Sequence, residues 1–176
     1  MVRILALGCL FFLSQLAHAE TIFLELTDRN FGKTEVPIEF IMPDQTHQTP
    51  VPLVILQHGS TQDKKNVFNG LVNTDLHQYQ LAKLALQTGF AVAIVDAFYK
   101  KGLKPSDKGK FPQAHIYAQQ IAEFLSQNTN LDKNNFFYSG FSYGGHAALM
   151  LMNNLNFLGN YKWAGVVSAE PPCGSF

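Results

Sequence analysis

A serine lies at the centre of the run Gly140-Phe141-Ser142-Tyr143-Gly144-Gly145. Its first five residues match the pattern Gly-x-Ser-x-Gly, in which a serine on a very tight turn between a strand and a helix can act as a nucleophile. Gly140 and Gly144 are required two residues before and after the serine because a side chain at either position would crowd the turn. The run therefore predicts attack by the Ser142 hydroxyl on a carbonyl carbon.

A strand is predicted before this short pattern and a helix after it, and both support its interpretation as a catalytic motif. Residues 136–139 have the composition of a buried strand, and residues 146–155 (HAALMLMNNL) that of an apolar helix. A helix beginning beside Ser142 directs its free N–H groups and the positive end of its dipole towards the serine, which favours a developing oxyanion. Gly145 would allow this helix to approach the strand closely. The setting favours a catalytic serine over a chance match in a structural turn.

A second short run, Gln57-His58-Gly59-Ser60, follows the apolar residues 53–56. An oxyanion hole of this type uses the N–H of the residue after the nucleophile and one N–H from the loop after an earlier strand. The predicted donors are therefore the backbone N–H groups of Tyr143 and Ser60, with that of Thr61 as an alternative to Ser60.

Alternating strands and helices are predicted along most of the chain. Residues 21–26 and 36–42 alternate loosely between apolar and polar, as in a half-buried hairpin. Four later apolar runs are continuous, which is typical of strands buried on both faces of a parallel sheet: 53–56, 90–95, 136–138 and 163–167. Residues with helical spacing lie between them, at 73–87, 113–127 and 146–155. This order predicts one α/β domain with a mostly parallel, doubly wound sheet and an N-terminal antiparallel hairpin.

These features together resemble one enzyme family. Residues 53–60, the strand that ends at Asp96, the segment 131–133 and the run 140–145 are similar to the dienelactone-hydrolase-like branch of the α/β-hydrolases, and the resemblance covers roughly residues 34–172. It implies the α/β-hydrolase fold, with an eight-stranded, mostly parallel sheet, and hydrolysis of small esters or lactones without a cofactor. Ser142 would be the nucleophile, and Ser60 and Tyr143 the oxyanion donors. Dienelactone hydrolases proper use a cysteine nucleophile, so the serine here favours a general esterase.

Two other functions stay open on the sequence. The run Ser142-Tyr143-Gly144-Gly145 also resembles the prolyl-oligopeptidase-like serine peptidases, which implies an amide substrate. The chain could alternatively be a non-catalytic remnant or a binding module. The main expectation remains a small-molecule ester as substrate.

The rest of a catalytic triad is not evident. In this fold the order is serine, acid, histidine, but only residues 143–176 follow Ser142, and His146 is the one histidine among them. His146 lies one helical turn after the serine and would point away from the hydroxyl. Glu170 follows the run 163–167 and is the candidate acid, whereas Asp96 is expected to be structural. We expect the C-terminal strands of the fold, with the usual acid and histidine, to be missing from this chain.

The remaining histidines do not supply an evident base. His115 opens a predicted helix, and His47 and His77 are predicted to be surface residues. Their spacing matches no zinc-binding motif, so no metal is expected.

The first nineteen residues predict export. A positive start at Arg3 precedes an apolar run and a small-residue site ending at Ala19, which is typical of a signal peptide cleaved before Glu20. We therefore expect residues 20–176 to form the mature, incomplete hydrolase domain, secreted or periplasmic and without stable membrane insertion. Cys173 would be the only cysteine left in it, and an unpaired cysteine in an exported chain calls for a partner.

The charge balance argues against a nucleic-acid partner. The whole chain has 13 basic and 13 acidic side chains, and loss of Arg3 leaves the mature chain nearly neutral. It contains no basic stripe of the kind that nucleic acids or acidic lipids attract.

Overall fold

A computed structural model describes residues 19–44, 49–60, 76–104, 106–107, 109–153 and 160–172. They form one six-stranded sheet in the order β1-β2-β4-β3-β5-β6. The strands are β1 (Ala19–Asp28), β2 (Gly32–Ile41), β3 (Val51–Gln57), β4 (Ala91–Val95), β5 (Leu131–Phe141) and β6 (Trp163–Ala169). The helices in the described residues are α1 (Leu76–Gln87), α2 (Ala114–Leu125) and α3 (Tyr143–Met152).

The N-terminal hairpin is antiparallel and the rest of the sheet is parallel, so both predictions are confirmed. β2 runs antiparallel to β4 with Ile38 opposite Val95, and β1 runs antiparallel to β2 with Asp28 opposite Gly32. The turn between β1 and β2 therefore lies beyond the end of β4, at the edge where β3, β4 and β5 also end. Ligands of parallel α/β sheets bind at this edge, which we call the C-terminal edge.

Helices cover both faces of the central strands, as the continuous apolar runs predict. On one face α2 and α3 contribute Tyr117, Ile121 and Leu151 to the larger core. On the other face α1 places Ala82 and Ala85 in a smaller core. Strands buried on both faces have few polar positions, which explains why β4 is apolar throughout and β3 is apolar up to its last residue, Gln57.

β5 and the helix after the serine motif begin earlier than their apolar runs indicate. β5 begins at Leu131, five residues before the predicted strand, because Leu131 pairs with Val51 while the polar residues that follow are exposed. The helix after the motif begins at Tyr143 rather than at residue 146, so its first turn contains the two glycines. Parts of two predicted helices, residues 73–75 and 154–155, lie outside the described residues.

β6 forms one end of the described sheet. It pairs with β5, and no other described strand pairs with it. Val167 in this strand is 57% exposed, which is unusual for a valine in a parallel strand. Exposed apolar edge strands favour pairing between chains.

Val167→Lys is expected to reduce self-association of the chain, because a charged residue on an edge strand opposes pairing with a second edge. Light scattering after size-exclusion chromatography measures the effect, and the free energy of unfolding should change by less than about 0.5 kcal/mol. The control is Leu84→Lys, since Leu84 is a similarly exposed apolar residue on α1. Equal changes in association for the two variants would show that edge pairing is not the cause.

Among the described residues, no helix is both long and apolar enough to cross a bilayer. Of the predicted signal peptide, only Ala19 lies within the described residues. Cys173 lies outside them.

Candidate active site

Ser142 occupies the turn between β5 and α3 in a strained backbone conformation. Its φ of 51° and ψ of −107° lie in a region that residues other than glycine rarely adopt. Two backbone hydrogen bonds hold it there: its N–H donates to the Ala169 carbonyl at 2.9 Å, and its carbonyl accepts the His146 N–H at 2.9 Å. The end of β6 and the first turn of α3 thus fix the conformation of the serine.

Three glycines allow the backbone to approach this turn from three sides. A Cβ atom on Gly140 would lie 2.0 Å from the Gly144 carbonyl oxygen, and one on Gly144 would lie 2.5 Å from the Gln57 carbonyl oxygen. A Cβ atom on Gly145 would lie 2.7 Å from the Ala169 carbonyl oxygen. All three distances are too short for any side chain, so the helix start is packed directly against the ends of β3 and β6.

The loop after β3 also passes directly against the serine. A Cβ atom on Gly59 would lie 3.4 Å from the Ser142 Cβ and 3.0 Å from the Phe141 ring. Ser60 follows in the same loop, so the structure brings the two segments of the predicted oxyanion hole together. Thr61 lies outside the described residues.

His58 connects this loop to the loop after β4. Its side chain is buried, with 1% exposed. Its Nδ1–H donates to the Gly59 carbonyl at 2.7 Å, and its Nε2 accepts the Ala97 N–H at 3.1 Å. The Gly59 carbonyl belongs to the same peptide plane as the Ser60 N–H, because the atoms of one peptide unit are coplanar. The His58 ring therefore fixes the direction of the predicted oxyanion donor.

Asp96 lies beside His58 and is also buried. One of its oxygens is 3.6 Å from His58 Nε2 and accepts the Phe98 N–H at 2.9 Å. Burial raises the pKa of the Asp96 carboxyl, and the nearby His58 and the hydrogen bond from Phe98 offset part of the rise. These contacts connect Asp96 to His58 and to Phe98 in the loop after β4. None of them connects Asp96 to the Ser142 hydroxyl.

Tyr143 turns its side chain into the core. Its hydroxyl donates to the Pro112 carbonyl at 2.6 Å, and its ring contacts those of Phe98 and Phe111. Burial raises the pKa of the Tyr143 phenol well above its usual value. Only the backbone N–H of Tyr143 is therefore available to an oxyanion at the turn.

Within the described residues, no histidine ring forms a hydrogen bond with the Ser142 hydroxyl. The His77 ring packs against Phe141, with the two ring centroids 5.6 Å apart, and the His58 ring packs against Tyr143 at 5.9 Å. His77 is exposed, as predicted, but sequence patterns gave no sign of its contact with Phe141 because they do not fix where α1 begins relative to β5. His115 and His146 line a cavity beside the turn, and His47 lies outside the described residues.

Glu170 lies at the C-terminal edge, immediately after the residue that accepts the Ser142 N–H. It is exposed and has a φ of 46°, a rare conformation for glutamate. No described histidine contacts its carboxylate, so the described residues do not pair Glu170 with a histidine. They also contain no cluster of three side chains suited to a metal ion.

Comparison with known proteins identifies the family. The BD-FAE family, an α/β-hydrolase-type esterase domain, matches residues 38–163. The chain belongs to the BD-FAE family. This membership confirms the α/β-hydrolase superfamily that the sequence resembles.

Solved structures share the BD-FAE chain's fold at low sequence identity. A bacterial heroin esterase is 22% identical with a TM-score of 0.55, and the match covers 78% of this chain and 40% of the esterase. The α/β-hydrolase LAE6 from the metagenome of Lake Arreo is 16% identical with a TM-score of 0.61, covering 89% of this chain and 44% of that one. The S-formylglutathione hydrolase FrmB of Staphylococcus aureus is 19% identical with a TM-score of 0.52, covering 89% and 60%.

The BD-FAE chain thus spans between two-fifths and three-fifths of the length of these structures. A comparison with curated proteins found no significant match.

Proposed function

We propose that this chain is an exported serine hydrolase that acts on small carboxylic esters or lactones, with Ser142 as its nucleophile. The observation that carries the proposal is the strained conformation of Ser142, held between two backbone hydrogen bonds and packed against Gly59. Strain of this kind is retained where function requires it. Membership of an esterase-type family supports the choice of an ester over an amide.

The proposed reaction begins with the Ser142 hydroxyl. Its oxygen forms a bond to the ester carbonyl carbon, its proton passes to a base, and the carbonyl electrons move onto the oxygen. The N–H groups of Tyr143 and Ser60 stabilise this oxyanion, each by about 3 kcal/mol. Collapse of the intermediate breaks the bond from the carbonyl carbon to the ester oxygen, and the leaving alcohol takes the proton from the base. Water then attacks the acyl group on Ser142 and releases it as a carboxylic acid. No described histidine or carboxylate forms a hydrogen bond with the Ser142 hydroxyl, so the described residues do not identify the base.

Covalent labelling with a fluorophosphonate tests the nucleophile without requiring turnover. Residues 20–176 should label at Ser142, as located by peptide mass spectrometry, and Ser142→Ala should lose the label completely. Ser126→Ala is the matched control, because Ser126 caps the end of α2 through its bond to the Glu123 carbonyl and is remote from the turn. Absence of label on a folded wild-type chain would favour a non-catalytic module.

Hydrolysis of p-nitrophenyl butyrate and of a dipeptide anilide then distinguishes an esterase from a peptidase. We expect the ester to react faster than the anilide, with a rate that falls in Ser142→Ala. Binding and oxyanion stabilisation need neither the serine nor its base, so that variant should retain a weak rate, roughly 10³–10⁴-fold above water. Faster cleavage of the anilide would contradict the esterase assignment.

A further inference from the structure

A cavity of about 200 Å³ lies at the C-terminal edge beside the serine turn. The turn between β1 and β2, the start of α2 and the first two turns of α3 form its walls. Its described lining includes three basic side chains, Arg29, His115 and His146, and no carboxylate. A concave site with convergent basic groups is suited to an anion.

The cavity is within reach of a molecule bound at Ser142. Tyr143 and His146, which line it, are the first and fourth residues after the serine. A helix rises about 1.5 Å per residue, so His146 lies about 6 Å from the serine along the helix axis. A group a few bonds away from the reacting carbonyl could therefore enter the cavity.

Arg29 is held in place through its backbone. Its N–H donates to the Gln113 side chain at 3.0 Å, and the neighbouring Asn30 amide donates to the Phe111 carbonyl at 2.6 Å. Asp28 closes the turn by accepting the N–H groups of Asn30 and Phe31 at 2.6 and 2.9 Å. Within the described part of the chain, the Arg29 guanidinium has no ion pair or hydrogen bond, so its charge is available to a ligand.

His115 contributes a second donor whose charge can respond to a ligand. Burial lowers its pKa, the nearby His146 lowers it further, and Asp28 partly offsets both effects. The His115 ring therefore holds a proton less readily than a free imidazole, whereas the Arg29 guanidinium stays charged. The lining of an adjoining cavity also has more basic than acidic side chains. It includes Lys101 and Lys110 but a single carboxylate, Asp107.

We propose that this cavity binds a carboxylate group of the substrate, so that the preferred substrates are esters whose acyl or alcohol part carries a carboxylate. The inference rests on the proposed function and names its substrate class. The planar guanidinium of Arg29 matches a carboxylate through two parallel hydrogen bonds. His115 donates a further hydrogen bond once the anion has favoured its protonated form.

Proton NMR of the histidine Cε1–H resonances tests the proposal on residues 20–176. The His115 resonance is assigned with His115→Asn, and its pKa is measured by pH titration with and without monomethyl succinate, which carries one carboxylate and one ester. Because a bound anion favours the charged imidazole, the pKa of His115 should rise by roughly 0.5–1. Dimethyl succinate, which has no charge, should leave the pKa unchanged.

Two variants test whether the rise in the His115 pKa depends on Arg29. Arg29→Gln should abolish the rise, and Lys133→Gln, which removes a cation at the opposite edge of the sheet, should retain it. A wild-type chain without the rise, or an equal rise in Arg29→Gln, would overturn the proposal. Inorganic phosphate acting as strongly as monomethyl succinate would overturn the assignment to a carboxylate. The readout does not involve Ser142, so a chain that fails to react with a fluorophosphonate can still show the rise.

Discussion

Gly140→Ala is expected to lower the free energy of unfolding by about 3 kcal/mol or more and to prevent reaction at Ser142. The added methyl carbon would lie 2.0 Å from the carbonyl oxygen and 2.1 Å from the carbonyl carbon of Gly144. Both atoms belong to the backbone at the start of α3, so no side-chain rotation can relieve the overlap. The helix would have to move away from β5, which breaks its contacts with Gln57 and Ala169. Urea denaturation measures the loss.

Gly165→Ala is the matched control for this prediction. It makes the same change within a strand of the same sheet, and its methyl carbon would meet only the Phe137 ring, at 3.2 Å. A ring can shift by a few tenths of an ångström, so we expect a loss of less than about 1 kcal/mol. Similar losses for the two variants would show that the close approach of Gly140 and Gly144 does not govern the stability of the turn.

The glycine pattern around Ser142 illustrates what local sequence can predict. The spacing of Gly140 and Gly144 about the serine indicates a turn too tight for side chains, and the apolar runs beside it indicate the strand and the helix. These features follow from steric limits within a few residues. The continuous apolar strands likewise predict a covered parallel sheet, because burial on both faces leaves few positions for polar residues.

Features that depend on distant segments could not be predicted in this way. The first half of β5 is polar, and its partners are distant in the sequence: Leu131 pairs with Val51, and the Lys133 carbonyl accepts the Lys162 N–H at 2.6 Å. His77 and Phe141 are far apart in the sequence, and their contact depends on how α1 packs. Arg29 reaches the C-terminal edge only because the hairpin joins the sheet next to β4, in the antiparallel direction. Pairing partners and strand direction are long-range properties that residue patterns alone do not specify.

His58→Leu is expected to lower the free energy of unfolding by about 2–4 kcal/mol and to slow labelling of Ser142. Leucine keeps much of the volume of the ring but can neither accept the Ala97 N–H nor donate to the Gly59 carbonyl. Leaving a buried donor such as the Ala97 N–H without an acceptor costs about 1–3 kcal/mol, and loss of the second hydrogen bond adds about 1 kcal/mol. Urea denaturation gives the first quantity, and the second-order rate constant with a fluorophosphonate gives the second.

Two conservative variants separate the contributions of the two ring nitrogens. Asparagine at position 58 places an N–H near the position of Nδ1, and glutamine can place an oxygen near the position of Nε2. His58→Asn should therefore restore the bond to the Gly59 carbonyl, and His58→Gln the bond from the Ala97 N–H. Each should recover part of the lost stability.

Only the labelling rate should distinguish these variants. The bond to the Gly59 carbonyl fixes the peptide plane that carries the Ser60 N–H, so His58→Asn should label at close to the wild-type rate. His58→Gln and His58→Leu should label about tenfold more slowly or worse, because one oxyanion donor is no longer aimed at the serine. If His58→Asn labelled as slowly as His58→Leu while recovering stability, the ring would act through packing alone, and Ser60 would lose its support as an oxyanion donor.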